Sequence, residues 1–225
     1  MKSIYYSENN IRVDYLEKRE HNQVKRIFDI GFAIFAIAIF LPIMIIIAFL
    51  IKVSSPEGSI LFKQKRLGLK NEEFDVLKFR TMIPNAEEKL KILIDENQEV
   101  KEEYLKYRKL KNDIRIIEGI GNFLRKTSLD ELPQFFNVLK GDMSIVGPRP
   151  YMKAEFYQYS TTVVNIITSV KPGITGYWQI IPSRHDTTFR NRVETDIEYI
   201  RKRDFLLDLS IVFKTVAVMV LRKGA

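Results

Sequence analysis

Residues 30–51 read Ile30-Gly31-Phe32-Ala33-Ile34-Phe35-Ala36-Ile37-Ala38-Ile39-Phe40-Leu41-Pro42-Ile43-Met44-Ile45-Ile46-Ile47-Ala48-Phe49-Leu50-Ile51. No charged side chain interrupts the run. As a helix it would reach roughly 33 Å at about 1.5 Å per residue, close to the hydrocarbon thickness of a bilayer. About twenty polar residues precede it and no small-residue cleavage site follows, so a cleavable signal peptide fits poorly. Pro42, near the middle, removes one backbone hydrogen bond and crowds the preceding turn, so a bend is expected there. Both flanks are basic: Lys25 and Arg26 before the run, Lys52, Lys63, Lys65 and Arg66 after it. The positive-inside rule assigns basic flanks to the cytoplasmic side. Two readings follow, a kinked spanning helix or a hairpin-like helix that enters and leaves by one face.

Outward from this run, the 225-residue chain carries a net charge of +8 and 46% hydrophobic residues. That is enough for a core, and the positive surplus suits an anionic partner. With no cysteine, disulfides, zinc thiolates and thiol nucleophiles are excluded. The only histidines are His21 and His185, so a metal would be held by oxygen ligands, which points to magnesium, manganese or calcium.

The chain divides on this reading into a polar arm over 1–23, the membrane helix over 24–53 and a membrane-surface domain over 54–225. Residues 59–81 alternate as strands around a turn at 67–71, a hairpin pattern. Residues 85–111 space Leu90, Leu93, Ile94, Val100, Tyr104 and Leu105 as amphipathic helix among Glu and Lys. Residues 128–140 and 151–169 are expected to be helical, 171–176 a turn-rich loop, and 188–203 a helix with Val193, Ile197 and Ile200 on one side. Phe205–Leu221 is apolar but broken by Asp208 and Lys214, which suits an interfacial or a core helix rather than a span. The fold class is therefore α+β: mostly helical and membrane-associated, with a small β-hairpin and interfacial amphipathic helices.

Reactive groups concentrate between Arg125 and Pro150. Asp130 and Glu131 are adjacent at an expected helix start, with Arg125 and Lys126 just before them. Ser128-x-x-Glu131 matches a capping box, while Asp130 as N-cap would place Pro133 harmlessly in the first turn. In both cases Asp130 lies at the positive end of a helix, where its ionised form is favoured and a phosphate or a metal could approach it. A second basic cluster joins Phe62-Lys63-Gln64-Lys65-Arg66 to Lys78-Phe79-Arg80-Thr81-Met82. With aromatics nearby it could serve a single strand of nucleic acid, but an adjacent membrane run is foreign to such a binder. A membrane-tethered scaffold without catalysis is the other alternative.

Taken together, the motifs resemble the bacterial sugar transferases, the monotopic polyprenol-phosphate phosphoglycosyl transferases, over about residues 24–225. They occur in the family's order: Lys25-Arg26-x-x-Asp29; Phe62-x-Gln64-x-Arg66-x-Gly68; Lys78 to Met82; Leu124 to Gln134; Asn137-Val138-Leu139-x-Gly141-Asp142-Met143-Ser144. Gly147-Pro148-Arg149-Pro150, Pro172-Gly173-Ile174-Thr175-Gly176, Asp196-x-x-Tyr199 and Asp208-Leu209 complete the series. The resemblance implies a re-entrant membrane helix broken at Pro42, with the active site on the cytoplasmic face of the inner membrane. It implies that Asp130 is a nucleophile and that Glu131, with Asp130, holds magnesium. Arg125, Arg149, Lys78 and Arg184 map onto phosphate or nucleotide contacts.

The implied activity transfers a sugar 1-phosphate from a UDP-sugar to undecaprenyl phosphate through a covalent aspartyl-phosphosugar, releasing UMP, as a first membrane step of polysaccharide assembly. The implied partners are the donor, the acceptor and membrane lipids, with no nucleic acid; a homo-oligomer is compatible with this. The chain reads as the short, catalytic-core form. It departs from the family at Asp113-Ile114-Arg115-Ile116-Ile117, where many members have Asp-Pro-Arg-x-Thr. Trp178-Gln179 and Arg184-x-Asp186 resemble members that handle galactose or glucose phosphates.

Overall fold

A computed structural model describes residues 21–107, 110, 113–157, 159–180 and 188–221. The apolar run forms most of α1 (His21–Ser54), and among the described residues it is the one helix long and apolar enough to cross a membrane. Pro42 lies inside α1, with helical residues on both sides. The arm expected over 1–23 falls largely outside the described residues, apart from 21–23, which belong to α1.

The chain divides into two compact units, Met1–Ile37 with Gln64–Val76 and Gln134–Ala225, and Ala38–Lys63 with Leu77–Pro133. The expected hairpin is present: β1 (Leu61–Leu67) and β2 (Glu73–Phe79) pair in a two-stranded sheet. Its turn places Lys70 and Asn71 at positive φ, a conformation that asparagine tolerates better than most residues.

The first unit is organised around a short parallel ladder. Strands β3 (Ser144–Val146) and β4 (Gly173–Thr175) pair Ser144 with Gly173 and Val146 with Thr175. The segment expected to be only a turn-rich loop thus contributes a strand. Two motif glycines make the approach feasible. A Cβ on Gly147 would stand 2.5 Å from the Lys171 carbonyl oxygen, and one on Gly173 would collide with the Gly147 backbone. Around the ladder, Met143, Ile145 and Val146 bury with Val193, Ile197 and Ile200 of α7 (Phe189–Lys202) and Ile211 of α8 (Phe205–Leu221). The helix expected over 151–169 is instead a 3-10 turn over Lys153–Phe156 and a separate α6 (Thr161–Ile167). The aromatics Tyr151, Phe156 and Tyr159 of this segment meet Phe189 edge to face, the arrangement that the ring quadrupoles favour.

The start of α1 is bonded into this unit by polar groups that precede the apolar run. Lys25 Nζ donates to Asp208 Oδ2 of α8 at 2.6 Å, and Tyr199 Oη donates to Asp208 Oδ1 at 2.7 Å. Asp29 accepts from the Ser144 hydroxyl and the Ile145 amide. Arg26 donates to the carbonyls of Val138 and Leu139, which satisfies C-terminal groups of α5 (Gln134–Lys140) that a helix leaves without partners. Phe28 packs edge to face on Phe205. Beyond this footing α1 presents Ile34, Phe35, Ile39, Ile45, Ile46 and Phe49 to the outside, each more than half exposed.

The second unit holds the C-terminal half of α1, where Met44, Ile47 and Ile51 bury at helical spacing. Two amphipathic helices, α2 (Ala86–Glu96) and α3 (Gln98–Tyr107), occupy the Glu- and Lys-rich segment as expected. Arg80 ties this half of the chain to the end of α1, donating to the Ser55 hydroxyl at 3.0 Å and to its carbonyl at 2.7 Å.

Candidate active site

The segment 128–140, expected to be one helix, is divided. Helix α4 (Ile120–Thr127) ends at Ser128, which takes a left-handed conformation at φ 59°. A single 3-10 turn over Leu129–Glu131 follows, and α5 begins only at Gln134, immediately after Pro133. Neither expected cap forms: the Ser128 side chain makes no capping bond, and Asp130 is inside the 3-10 turn rather than at a helix start. Pro133 is the physical reason. It has no amide to donate at the fifth position of a helix starting after Ser128, so the chain turns tightly there and restarts.

This local geometry turns Glu131 away from capping and toward Lys78, the last polar residue of β2 before Phe79. Lys78 Nζ and Glu131 Oε1 are 2.6 Å apart, with side chains 27% and 35% exposed. Arg125 reaches in from the last turn of α4 and donates from Nε to the Thr81 hydroxyl at 3.1 Å. Asp130 is half-buried between these groups. Burial pushes its carboxyl up to about 6; Lys78 and Arg125 act against that rise and Glu131 adds to it. At neutral pH the carboxylate is still the major form, and it is only partly hydrated. Such an oxygen is a more reactive nucleophile than a fully solvated one.

The loop that diverges from the family has a structural role. Asp113 and Arg115 form a buried ion pair at 2.6 Å, with side chains 4% and 7% exposed. Arg115 Nε and Nη2 both donate to the Asp113 carboxylate. Burial works to raise the Asp113 carboxyl, but the bonds and charge of Arg115, with Arg125 beyond, hold it below its ordinary value. The paired segment then aligns along the Lys78–Met82 motif: Met82 bridges Ile116, the Ile83 amide donates to Arg115 O, and the Ile117 amide donates to Thr81 O. A Cβ on Gly121 would stand 2.5 Å from that same Thr81 oxygen, so α4 sits as close to the motif as a backbone permits.

Of the residues singled out in the sequence, Asp130, Glu131, Lys78 and Arg125 come together in the second unit. Arg149 belongs to the first. Its amide donates to Asp196 Oδ2 at 3.1 Å, and the Tyr151 hydroxyl donates to the same oxygen at 2.8 Å. Its guanidinium carbon is 5.9 Å from the centroid of Trp178. Arg184 and His185 lie outside the described residues. Sequence reasoning missed Thr81 as the seat of Arg125, and it missed Asp196. The only signal for Asp196 was its place in the Asp196-x-x-Tyr199 motif.

Among the described residues no group of three or more carboxylates or histidines is placed to hold a metal ion. Two adjacent carboxylates nevertheless fit magnesium, which keeps several waters and completes its shell with substrate phosphate oxygens. Glu131 is part-exposed and its carboxylate is matched with one ammonium group, which a divalent cation can replace.

The bacterial sugar transferase family's sequence profile matches residues 20–222. The chain belongs to the bacterial sugar transferase family. Similar members include the undecaprenyl-phosphate galactose phosphotransferase of Salmonella typhimurium, 42% identical over 93% of this chain and 43% of its own length. The UDP-glucose:undecaprenyl-phosphate glucose-1-phosphate transferase of Escherichia coli is 41% identical over 90% of this chain and 41% of its own. The exopolysaccharide production protein ExoY of Rhizobium meliloti is 40% identical over 89% of this chain and 87% of its own. The chain therefore spans less than half of the galactose and glucose transferases and most of ExoY.

Proposed function

We propose that this bacterial sugar transferase moves a hexose 1-phosphate from a UDP-sugar to undecaprenyl phosphate, with Asp130 as nucleophile and UMP as the first product. The observation that carries the reading is Asp130 itself, a half-buried carboxylate flanked by Lys78 and Arg125. An Asp130 oxygen attacks the sugar-proximal phosphorus, and a P–O bond to the carboxylate forms as the bridging P–O bond to UMP breaks. An oxygen of the lipid phosphate then attacks the same phosphorus and the Asp130 carboxylate leaves. Carboxylate and diphosphate repel each other, so cations must offset their charge before attack. Lys78 and Arg125 supply two of them. Glu131 and Asp130 would hold magnesium, which would supply further charge neutralisation as a Lewis acid. The names of the galactose and glucose enzymes among its relatives favour a hexose donor.

The acceptor is a lipid, and α1 accounts for its delivery. Lys25, Arg26 and Asp29 precede the apolar run, yet they bond to Asp208, Val138, Leu139, Ser144 and Ile145, which all follow it. Groups bonded at 2.6–3.1 Å share one side of a membrane, which supports a re-entrant α1 whose bend falls at Pro42. Basic flanks at both ends favour the cytoplasmic face. The exposed Leu206, Phe213 and Val216 of α8 suit an interfacial helix resting in the headgroup layer.

Intact-mass measurement after adding UDP-hexose with acceptor withheld tests the chemistry. The expected result is a phosphohexose adduct on the native chain and none on Asp130→Asn. Normal UMP release from Asp130→Asn in detergent with polyprenol phosphate would overturn the assignment.

A further inference from the structure

Arg80 follows β2 directly and is buried, 7% exposed. Its guanidinium fork closes on a single residue: Nη1 donates to the Ser55 hydroxyl at 3.0 Å and Nη2 to the Ser55 carbonyl at 2.7 Å. Ser55 comes immediately after α1, and its amide donates to Ile51 O in the last turn of that helix. The Arg80 amide donates to Ile60 O, so the loop from 55 to 60 is pinned to Arg80 at both ends. Gly58, at φ 90°, lies against the guanidinium: a Cβ there would stand 3.1 Å from Arg80 Nη1.

This attachment is costly. Among the described residues Arg80 forms no ion pair, and its Nε is buried without a hydrogen-bond partner. A well-packed apolar side chain would cost less there, so stability alone does not account for it. The neighbours of Arg80 supply the other reason. Two residues before it, Lys78 meets Glu131 at 2.6 Å. The next residue, Thr81, accepts from Arg125 on its hydroxyl and from the Ile117 amide on its carbonyl. The stretch 78–81 thus holds the end of α1 on one side chain and the groups around Asp130 on the flanking ones.

We propose that Arg80 is a positioning residue that fixes the height of the Asp130 site relative to the end of α1, and so governs transfer to the lipid but not the reaction with the donor. The inference rests on the transferase and re-entrant readings above. A UDP-sugar arrives from water and meets Lys78, Arg125, Asp130 and Glu131 at any height. The lipid phosphate stays at headgroup depth, so the seating of α1 decides whether it reaches the phosphorus. Displacing reacting groups by about 1 Å can cost about a hundredfold in rate. Arg80→Lys keeps the charge and loses the fork that grips both Ser55 oxygens, which separates position from electrostatics.

The full-length chain in nanodiscs of phosphatidylethanolamine and phosphatidylglycerol separates the two half-reactions. Loading is read as phosphohexose adduct and UMP after adding UDP-galactose or UDP-glucose to discs without acceptor. Transfer is read as lipid-linked product in discs prepared with undecaprenyl phosphate. In Arg80→Lys, loading should stay within about twofold of the parent while product forms about tenfold or more slowly, and the adduct should accumulate with acceptor present. Height is read separately, without turnover. The chain has no cysteine, so a dye on Asn122→Cys, exposed on α4, reports energy transfer to dye-labelled headgroups, and Arg80→Lys should shift its efficiency. Gly58→Ala leaves Arg80 in the chain but crowds its guanidinium; it should repeat both effects, and it serves where Arg80→Lys does not fold. Loading and transfer falling by the same factor, an unslowed transfer, or an unchanged energy-transfer efficiency overturns the inference. A parent chain that never loads counts against the Asp130 nucleophile, and the energy transfer then decides on Arg80.

Discussion

Lys78 Nζ and Glu131 Oε1 stand 2.6 Å apart, a pair formed across 53 residues of sequence beside the carboxylate that the proposed chemistry requires. Lys78 comes from a strand and Glu131 from a 3-10 turn, so the pair holds that turn against β2. Lys78→Met should lower UMP release by two to three orders of magnitude, the usual cost of removing one preorganised charge from a transition state. Steady-state assays with circular dichroism as a folding control check this. Wild-type rates in the variant would remove Lys78 from the chemistry.

Glu131→Gln keeps the shape of the turn and loses the charge. The expected outcome is a higher magnesium requirement, read as a shift of the activity-against-magnesium curve by about tenfold or more, with little change in melting temperature. An unshifted curve would mean that the metal is held elsewhere.

The Asp113–Arg115 pair is buried on both sides. Asp113→Asn leaves a guanidinium out of water without its counter-charge, so a loss of about 3–5 kcal/mol is expected. Chemical denaturation in detergent would measure it. Asp113 has a depressed carboxyl in the fold, so its contribution is present above the unfolded value near pH 3.9 and is lost as pH falls below that.

Asp196 behaves in the opposite sense. Burial raises its carboxyl to about 7, against the lowering influence of the Tyr151 hydroxyl, the Arg149 amide and the Arg149 charge. The folded state keeps a proton that the unfolded chain releases near pH 3.9. Stability from this group is therefore fully present below about pH 4, declines as pH rises to about 7, and is flat above, a span on the order of 4 kcal/mol at most. Asp196→Asn removes the titration, so its melting temperature should vary less than the parent's between pH 4 and 7. Equal slopes in parent and variant would refute this.

Topology offers a fifth measurement. Thiol labels at position 2 and in the 54–58 loop should react from the same side of inverted vesicles. Reaction from opposite sides would mean that Pro42 only kinks a spanning helix.

Much of the fold is local and was legible as such. The β1–β2 hairpin announces itself by strand alternation around a turn. In α7, Val193, Ile197 and Ile200 carry helical spacing and are all buried. Asp130 and Glu131 stood out through their motif, but their nearness to Lys78 and Arg125 did not. What could not be read depends on distant partners. Strands of three residues, as in β3 and β4, are too short for a period to register. The glycines that allow their approach look like ordinary turn residues until both strands are known. Asp29, Asp196 and Asp208 have the composition of surface residues, yet each is 3% exposed or less, because hydroxyls, amides and one ammonium group meet them inside. The split of 128–140 had a signal in Pro133, but two caps competed on paper and the chain adopts neither.

The 183-residue separation of Lys25 and Asp208 also orders events in time. During synthesis the apolar helix leaves the ribosome long before its aspartate partner exists, so the two can join only once nearly the whole chain has been made. The final helix then closes like a latch on the start of α1. A nascent chain stopped short of Asp208 would leave Lys25 without this partner, and truncation from the C-terminus would be felt at the opposite end of the polypeptide.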